Sequence, residues 1–323
     1  MKGKVGRRKI AVVLFNLGGP DNQDDVRPFL RNLFSDKAII GLPEIFRLPL
    51  AWLISTTRAD KSKALYALMG GGSPLLENTK AQSDALRMEL QSRNKNCEIK
   101  TFIAMRYWMP FCKEAVREVE QFCPDEVVLL PLYPQYSFTT TGSSIAEWEH
   151  YYDAPYKVVS EYPQANGFVS AAAKLILSEY DKLQRPNKVR VLFSAHGLPQ
   201  KNIDSGDPYE KQIGLSASAI SSLLPNNFEF VTCYQSKVGP LKWLGPSTPD
   251  EIQRAGNDKI GIIVYPISFV SEHIETLVEL DIEYKELAHE AKVPFFARAR
   301  TVGNDPIFIS NLADLVEAKI NEE

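Results

Sequence analysis

KIAVVLFNLGGP, residues 9–20, aligns without a gap to KVRVLFSAHGLP, residues 188–199. Each stretch is an apolar, β-rich run that stops in a Gly/Pro loop. A second echo follows the same order, since VVLLPLYPQYS (127–137) resembles IGIIVYPISF (260–269). Internal similarity of this kind marks a duplicated unit. Around the echoes, the runs KIAVVLFNL, EIKTFIA, EVVLLPLYP, KVRVLFSAH, EFVTCY and KIGIIVYPI alternate with segments of helical length. That alternation is the pattern of parallel sheets covered on both faces by helices. The fold class expected is therefore α/β, with two similar Rossmann-like units and an active cleft between them at the carboxyl ends of their strands. The alignment sets Leu17 opposite His196, so one wall of the cleft is apolar there and the other carries a base.

A chain of 323 residues with 44% hydrophobic composition has room for two such units. The expected division is 1–158 and 159–304, with a final helix over 305–323 packing back on the first unit and a rigid interface between the halves. Helix starts are read at Asp207-Pro208, Thr248-Pro249 and Asp305-Pro306, where a capping side chain precedes a proline. Thirty-seven basic against 40 acidic residues leave a net charge of -3, with no global positive field to recruit nucleic acid. The opening MKGKVGRRK reads as a basic tail entering the first strand rather than as a cleaved leader. The longest apolar segment, GLPEIFRLPLAWLI, is interrupted by Glu44, Arg47 and two prolines and falls short of the ~20 residues of a membrane span. A soluble, cytoplasmic protein is expected. Cys97, Cys112, Cys123 and Cys233 form no C-x-x-C pair, so reduced and mostly buried thiols are expected rather than a zinc or iron–sulfur motif.

His196 stands where an apolar strand gives way to Gly-Leu-Pro. A histidine at a strand end serves either as a hydrogen-bonded structural group or as a base, and its place at the expected cleft favours the base. The other strand end of interest is YPISFVSEHIETLVELDIEY (265–284). On a helix, Glu272, Glu275, Glu279 and Glu283 would share one face and repel by about 0.2–0.5 kcal/mol per pair. No lysine or arginine between Lys259 and Lys285 neutralises the row. Such a row, beginning beside His273, suits either a solvated acidic face or a path for a hydrated divalent cation or for protons. GGGSP (70–74) lacks both the dinucleotide glycine fingerprint and the lysine of a phosphate loop, and reads as a tight turn against a flat ligand or a helix-to-helix connection. The segment 42–54 is either a core helix or an apolar lip for a large hydrophobic ligand or a membrane surface.

In LFSAHGLPQKNIDSGDPY (192–209), YQSKVGPLKWLGP (234–246) and ISFVSEHIETLVELDIEY (267–284) the chain resembles the ferrochelatases, which insert ferrous iron into a porphyrin to make haem. The resemblance takes in NLGGP, GGGSP, YPQYS and the terminal LADLV, and so covers nearly the whole chain. It implies a chelatase-type pair of units, a lyase activity in haem biosynthesis, and His196 and Glu275 as the catalytic pair with His273 beside them. It implies that Glu279 and Glu283 continue from His196 and Glu275 as the groups that handle metal. Leu17, Arg58, Tyr66, Ser73, Arg106, Tyr107, Tyr133, Trp243 and Phe269 match positions around the porphyrin. The segment 42–54 matches a lip facing the membrane, which implies peripheral contact at its inner face. Fe²⁺ is then a substrate and no cofactor is bound permanently. A [2Fe-2S] cluster is not expected, because Phe138 stands at a cysteine position used by some members and the sequence ends at VEAKINEE without the cysteines of an extension. Leu17, where coproporphyrin enzymes commonly have tyrosine, favours protoporphyrin IX. The alternatives are a porphyrin or haem carrier, and a related chelatase for coproporphyrin or another metal.

Overall fold

The computed structural model describes residues 7–322, so most of the basic tail, residues 1–6, lies outside the described residues. The apolar runs form two sheets. The first consists of β1 (Arg8–Asn16), β2 (Cys97–Met105), β3 (Glu126–Pro131) and β4 (Lys157–Val158), and the second of β5 (Val189–His196), β6 (Phe228–Gln235), β7 (Gly261–Pro266) and β8 (Phe296–Arg298). Their orders are β2-β1-β3-β4 and β6-β5-β7-β8, with every pairing parallel. The two sheets are thus the same arrangement twice, as the sequence echo requires. β4 and β8 went unread in the sequence because two or three residues show no periodicity.

Helices cover both sheets. α1 (Val26–Ser35), α2 (Glu44–Ala67) and α3 (Leu75–Arg93) join β1 to β2, α4 (Cys112–Phe122) joins β2 to β3, and α5 (Ser143–Glu149) precedes β4. α6 (Asn166–Lys182) connects the sheets; α7 (Gln200–Asp204) and α8 (Tyr209–Ser221) lead to β6, α9 (Thr248–Asp258) to β7, α10 (Tyr284–Glu290) to β8, and α11 (Pro306–Ile320) closes the chain. The caps follow the sequence signals with two shifts: Asp305 accepts from the Ile307 amide as expected, but at α9 the cap is Ser247, one residue before Thr248, and at α8 the cap position is Pro208, with Asp207 before it accepting from the Tyr209 amide.

β1, β5 and β7 are buried on both faces, which is why they read as unbroken apolar runs. One apolar cluster joins Ile10, Val12 and Leu14 of β1 to Val191 and Phe193 of β5 through Phe168 and Phe308. α11 packs against α3, β3 and β4 and also against α6. Polar ties add to this. Gln82 of α3 donates to the carbonyls of Val270 and Gly303 and accepts from Ser271, and Gln135 donates to Ser216. The halves therefore share one core.

β3 and β7 both end in proline, at Pro131 and Pro266. Proline has no N–H with which to extend a ladder. Beyond each, the chain crosses a short loop into a π-helix, Phe138–Gly142 after β3 and Glu275–Glu283 after β7. GGGSP connects α2 to α3 and seats on the loop after β1: a Cβ on Gly72 would lie 2.2 Å from the Asp21 carbonyl oxygen, and the Ser73 amide donates to Pro20. Of the four thiols, Cys112 and Cys233 are buried, Cys97 is partly so, and Cys123 is exposed, so burial is less general than expected.

Candidate active site

His196 is the last residue of β5, and its neighbour in β6 is Gln235. Its Nδ1 lies 2.7 Å from Glu275 Oε2, at the first residue of the second π-helix. Its side chain is 38% exposed, enough for the far edge of the ring to meet a ligand. Glu275 and Glu279 are joined through Ser236. The Ser236 Oγ is 2.9 Å from Glu275 Oε2 and 2.5 Å from Glu279 Oε2, and its amide donates to Glu279 Oε1 at 2.8 Å. Gln235 Nε2 and the Tyr284 hydroxyl also donate to Glu279, at 2.9 and 2.8 Å. A hydrogen-bonded row thus runs from His196 through Glu275, Ser236 and Glu279 to Tyr284.

The π-helix supports this spacing. Its closing bond runs from the Tyr284 amide to the Glu279 carbonyl, five residues back, as π geometry requires. Residues four apart, Glu275, Glu279 and Glu283, follow one side of it, and Glu283 lies exposed at the far end. Glu272 does not join them. It precedes the helix, where Arg298 of β8 binds both of its carboxylate oxygens at 3.0 Å and also reaches Asp281. The four-glutamate face expected from sequence is therefore a row of three, because the charge that neutralises Glu272 arrives from 26 residues downstream. Arg298→Ala leaves a buried carboxylate unpaired and is expected to lower unfolding stability by about 3 kcal/mol, measured by denaturant titration.

Electrostatics sort these groups. Burial alone would depress His196, but the charge and hydrogen bond of Glu275, with Glu279 behind it, hold its pKa above the ordinary value. Burial would raise Glu275; the charge and hydrogen bond of His196, with His273 and Ser236, bring it down to about 2. Burial and the adjacent Glu275 push Glu279 up. With Glu275 ionised and accepting, a neutral His196 carries its proton on Nδ1, which leaves Nε2 as the free lone pair. His273 is buried against Phe269, with ring centroids 4.3 Å apart; its Nδ1 has no partner and burial lowers its pKa.

The first unit closes over this row. Ile274, next to Glu275, packs with Leu17, Tyr66, Tyr107 and Trp108, and Glu275 adds to the burial that raises the Tyr66 pKa. Tyr66 lies near the end of α2, whose beginning carries the lip. Ile45 is 76% and Phe46 64% exposed, and Leu42, Leu48, Trp52 and Leu53 are exposed with them, so the core-helix reading of 42–54 does not hold. No helix among the described residues is long and apolar enough to cross a membrane.

The remaining predicted pocket residues divide. Trp243 is half-buried beside Gly197, with its indole N–H unpartnered, and Tyr133 has a buried hydroxyl also without a partner. Arg58 sits over the Phe34 ring at 5.8 Å, and Ser73 Oγ accepts from Leu75. Tyr107 is buried with its hydroxyl on Asp36, which also binds Arg106 and Ser143. The polar ends of Arg106 and Tyr107 are engaged with Asp36 and held inside the first unit. His196, Glu275, Glu279 and Glu283 lie in a line: among the described residues no three acidic, histidine or cysteine side chains are gathered as a metal centre. Gln235, Ser236 and Tyr284 were not foreseen. The available signal was that Gln235-Ser236 ends the strand next to His196.

Comparison with known proteins bears on the family and the fold. The ferrochelatase family model matches residues 9–320. The chain is 57% identical over 308 residues to a ferrochelatase from Phenylobacterium zucineum, covering 95% of this chain and 90% of that one. It is 53% identical over 317 residues to a ferrochelatase from Caulobacter vibrioides, covering 98% and 91%. Among solved structures, SirB from Bacillus subtilis with Fe³⁺ superposes with a TM-score of 0.55 at 10% identity, covering 97% of this chain and 96% of that one. CbiX, the terminal enzyme for biosynthesis of siroheme in denitrifying bacteria, gives 0.53 at 13% identity, covering 96% and 99%. These two share the fold. A duplicated parallel sheet, a strand-end histidine on a π-helix carboxylate, and a family match over nearly its whole length together place this chain in the ferrochelatase family.

Proposed function

We propose that the protein inserts Fe²⁺ into protoporphyrin IX to give protohaem, acting as a lyase in haem biosynthesis, with His196 as the base and Glu275 as its partner. The observation that carries this reading is the 2.7 Å contact between His196 Nδ1 and an ionised Glu275 at the end of β5. Insertion releases two pyrrole protons, so a neutral base must reach the macrocycle. Nε2 of His196 is free for it, and the imidazolium that forms is stabilised at once by Glu275. Glu279 then lies within one hydroxyl of Glu275 and leads toward exposed Glu283, which gives protons or incoming iron a carboxylate-lined route. His273, neutral and buried against Phe269, holds the wall behind Glu275. Leu17 and the rings of Tyr66 and Trp243 supply apolar surface for a flat macrocycle. No resident cofactor takes part; iron is a substrate. The chain belongs in the cytoplasm, touching the inner face of the membrane through 42–54.

The test is anaerobic turnover with Fe²⁺, reductant and protoporphyrin IX in detergent, with coproporphyrin III in parallel. Loss of the protoporphyrin bands over many turnovers per protein is the expected result. Binding without turnover would favour a carrier, and turnover of coproporphyrin alone would reassign the substrate. The lip has its own test. Phe46 and Trp52 are exposed, so the double change to serine leaves the fold intact while removing apolar contact area. It is expected to raise the Michaelis constant for protoporphyrin about tenfold, a loss of ~1.4 kcal/mol, with little change in melting temperature. An unchanged constant would remove the lip from porphyrin uptake.

A further inference from the structure

Ser236 has a backbone that most residues avoid, and a hydroxyl placed between two acidic side chains. Its φ is +63°, in the left-handed region where a side chain's Cβ crowds the following carbonyl. That conformation follows directly on the last ladder position of β6 and turns both the amide and the hydroxyl toward the π-helix. Non-glycine residues persist in such conformations where surrounding contacts fix them, and these cluster at functional sites. The contacts here are all with the acidic row.

We propose that Ser236 is a positioning residue for iron insertion, the link that holds Glu275 and Glu279 in one hydrogen-bonded row. This rests on the function proposed above. A hydroxyl has one proton and two lone pairs, so it donates to one carboxyl group and accepts from, or lies against, the other. Among the described residues no other side chain bonds both carboxyl groups: Gln235 Nε2 bonds the carboxyl of Glu279 but only the backbone carbonyl of Glu275, and Tyr284 bonds Glu279. Without the Ser236 hydroxyl the row separates into a His196–Glu275 pair and a Gln235–Glu279–Tyr284 group. The carboxylates keep their charge and lose their fixed separation. The chemistry that suffers is the passage of Fe²⁺ or protons between them, while the porphyrin's apolar contacts stay as they are.

The experiment compares the wild type with Ser236→Gly and Ser236→Ala. Glycine accepts φ +63° without strain and keeps the amide that bonds Glu279, so it removes the hydroxyl and relieves the backbone. The expected result is that both variants lose about 10- to 100-fold in kcat/KM for Fe²⁺, the effect of a hydrogen bond to a charged group. Their Michaelis constant for protoporphyrin should stay within about twofold of the wild type, and Ser236→Gly should melt no lower than the wild type. Wild-type kinetics in Ser236→Gly would overturn the proposal. So would a loss of porphyrin affinity and melting temperature in step with activity, which marks a structural residue. A wild-type protein that inserts no iron refutes the proposed function instead. The link is then read from the ¹⁵N imidazole signals: those of His196 should move in Ser236→Gly while those of exposed His289 stay, and unmoved His196 signals reject the link on their own.

Discussion

Replacing His196 with alanine is expected to reduce iron insertion by about 10²- to 10⁴-fold, the usual contribution of a general base, while protoporphyrin still binds. The imidazole is a nitrogen base at the end of β5 with part of its ring exposed, and in its neutral form the bond from Nδ1 to Glu275 leaves Nε2 as the free nitrogen. The variant should remain folded, because Glu275 keeps its bond to Ser236 and the β5 ladder is made by backbone groups. Fluorescence of bound protoporphyrin measures affinity and the anaerobic absorbance assay measures turnover. Wild-type turnover in His196→Ala would remove His196 as the base.

The second large effect is expected in Glu275→Gln, where turnover should fall about 100-fold and the pH profile should move. Wild-type His196 titrates above its ordinary 6.5 because of Glu275. Removing that charge lowers the His196 pKa, so the acid limb of the residual activity should shift to lower pH even as its height drops. Stability follows the same groups. His196, raised in the fold, contributes stability that is complete below pH 6.5 and disappears as pH rises through its folded value. Glu275, depressed to about 2, contributes stability that is complete above its ordinary 4.5 and disappears as pH falls toward 2. The stability gap between wild type and Glu275→Gln should therefore be widest between about pH 4.5 and 6.5 and narrow on either side. Denaturant midpoints across pH measure it, and a gap that stays constant would show that the two groups are not paired in solution.

The architecture was legible because duplication writes a fold twice. The gapless match of 9–20 to 188–199 placed β1 and β5, and with them Leu17 and His196, before any contact was known. Glu275 was legible from its residues only as one of a row of acids beginning beside His273; its pairing with His196 was what the family resemblance implied. What could not be read was whatever depended on partners distant in sequence. Glu272 looked like part of the acidic row because nothing nearby opposes it; Arg298 does so from another strand. Arg106 and Tyr107 looked free because Asp36, which takes up both, lies 70 residues earlier. Ser236 left almost no trace, since a serine at a strand end is common and only its left-handed backbone gives it direction. The lip at 42–54 had two readings that differ by exposure alone, which composition does not record.

The π-helix also changes what a one-residue gap does to the site. Its bonds close over five residues, so deleting one residue between Glu275 and Glu279 lets that turn settle into ordinary four-residue closure. The shorter turn takes up the missing residue, and what lies beyond it keeps roughly its bearing, whereas the same deletion in an α-helix would swing everything beyond it by about 100°. Glu279 and Tyr284 would stay on the side of Ser236, and Glu275 on His196. A wide turn is thus slack in the chain, spent on one extra residue, and related chains with one residue fewer between the same glutamates can carry the same row.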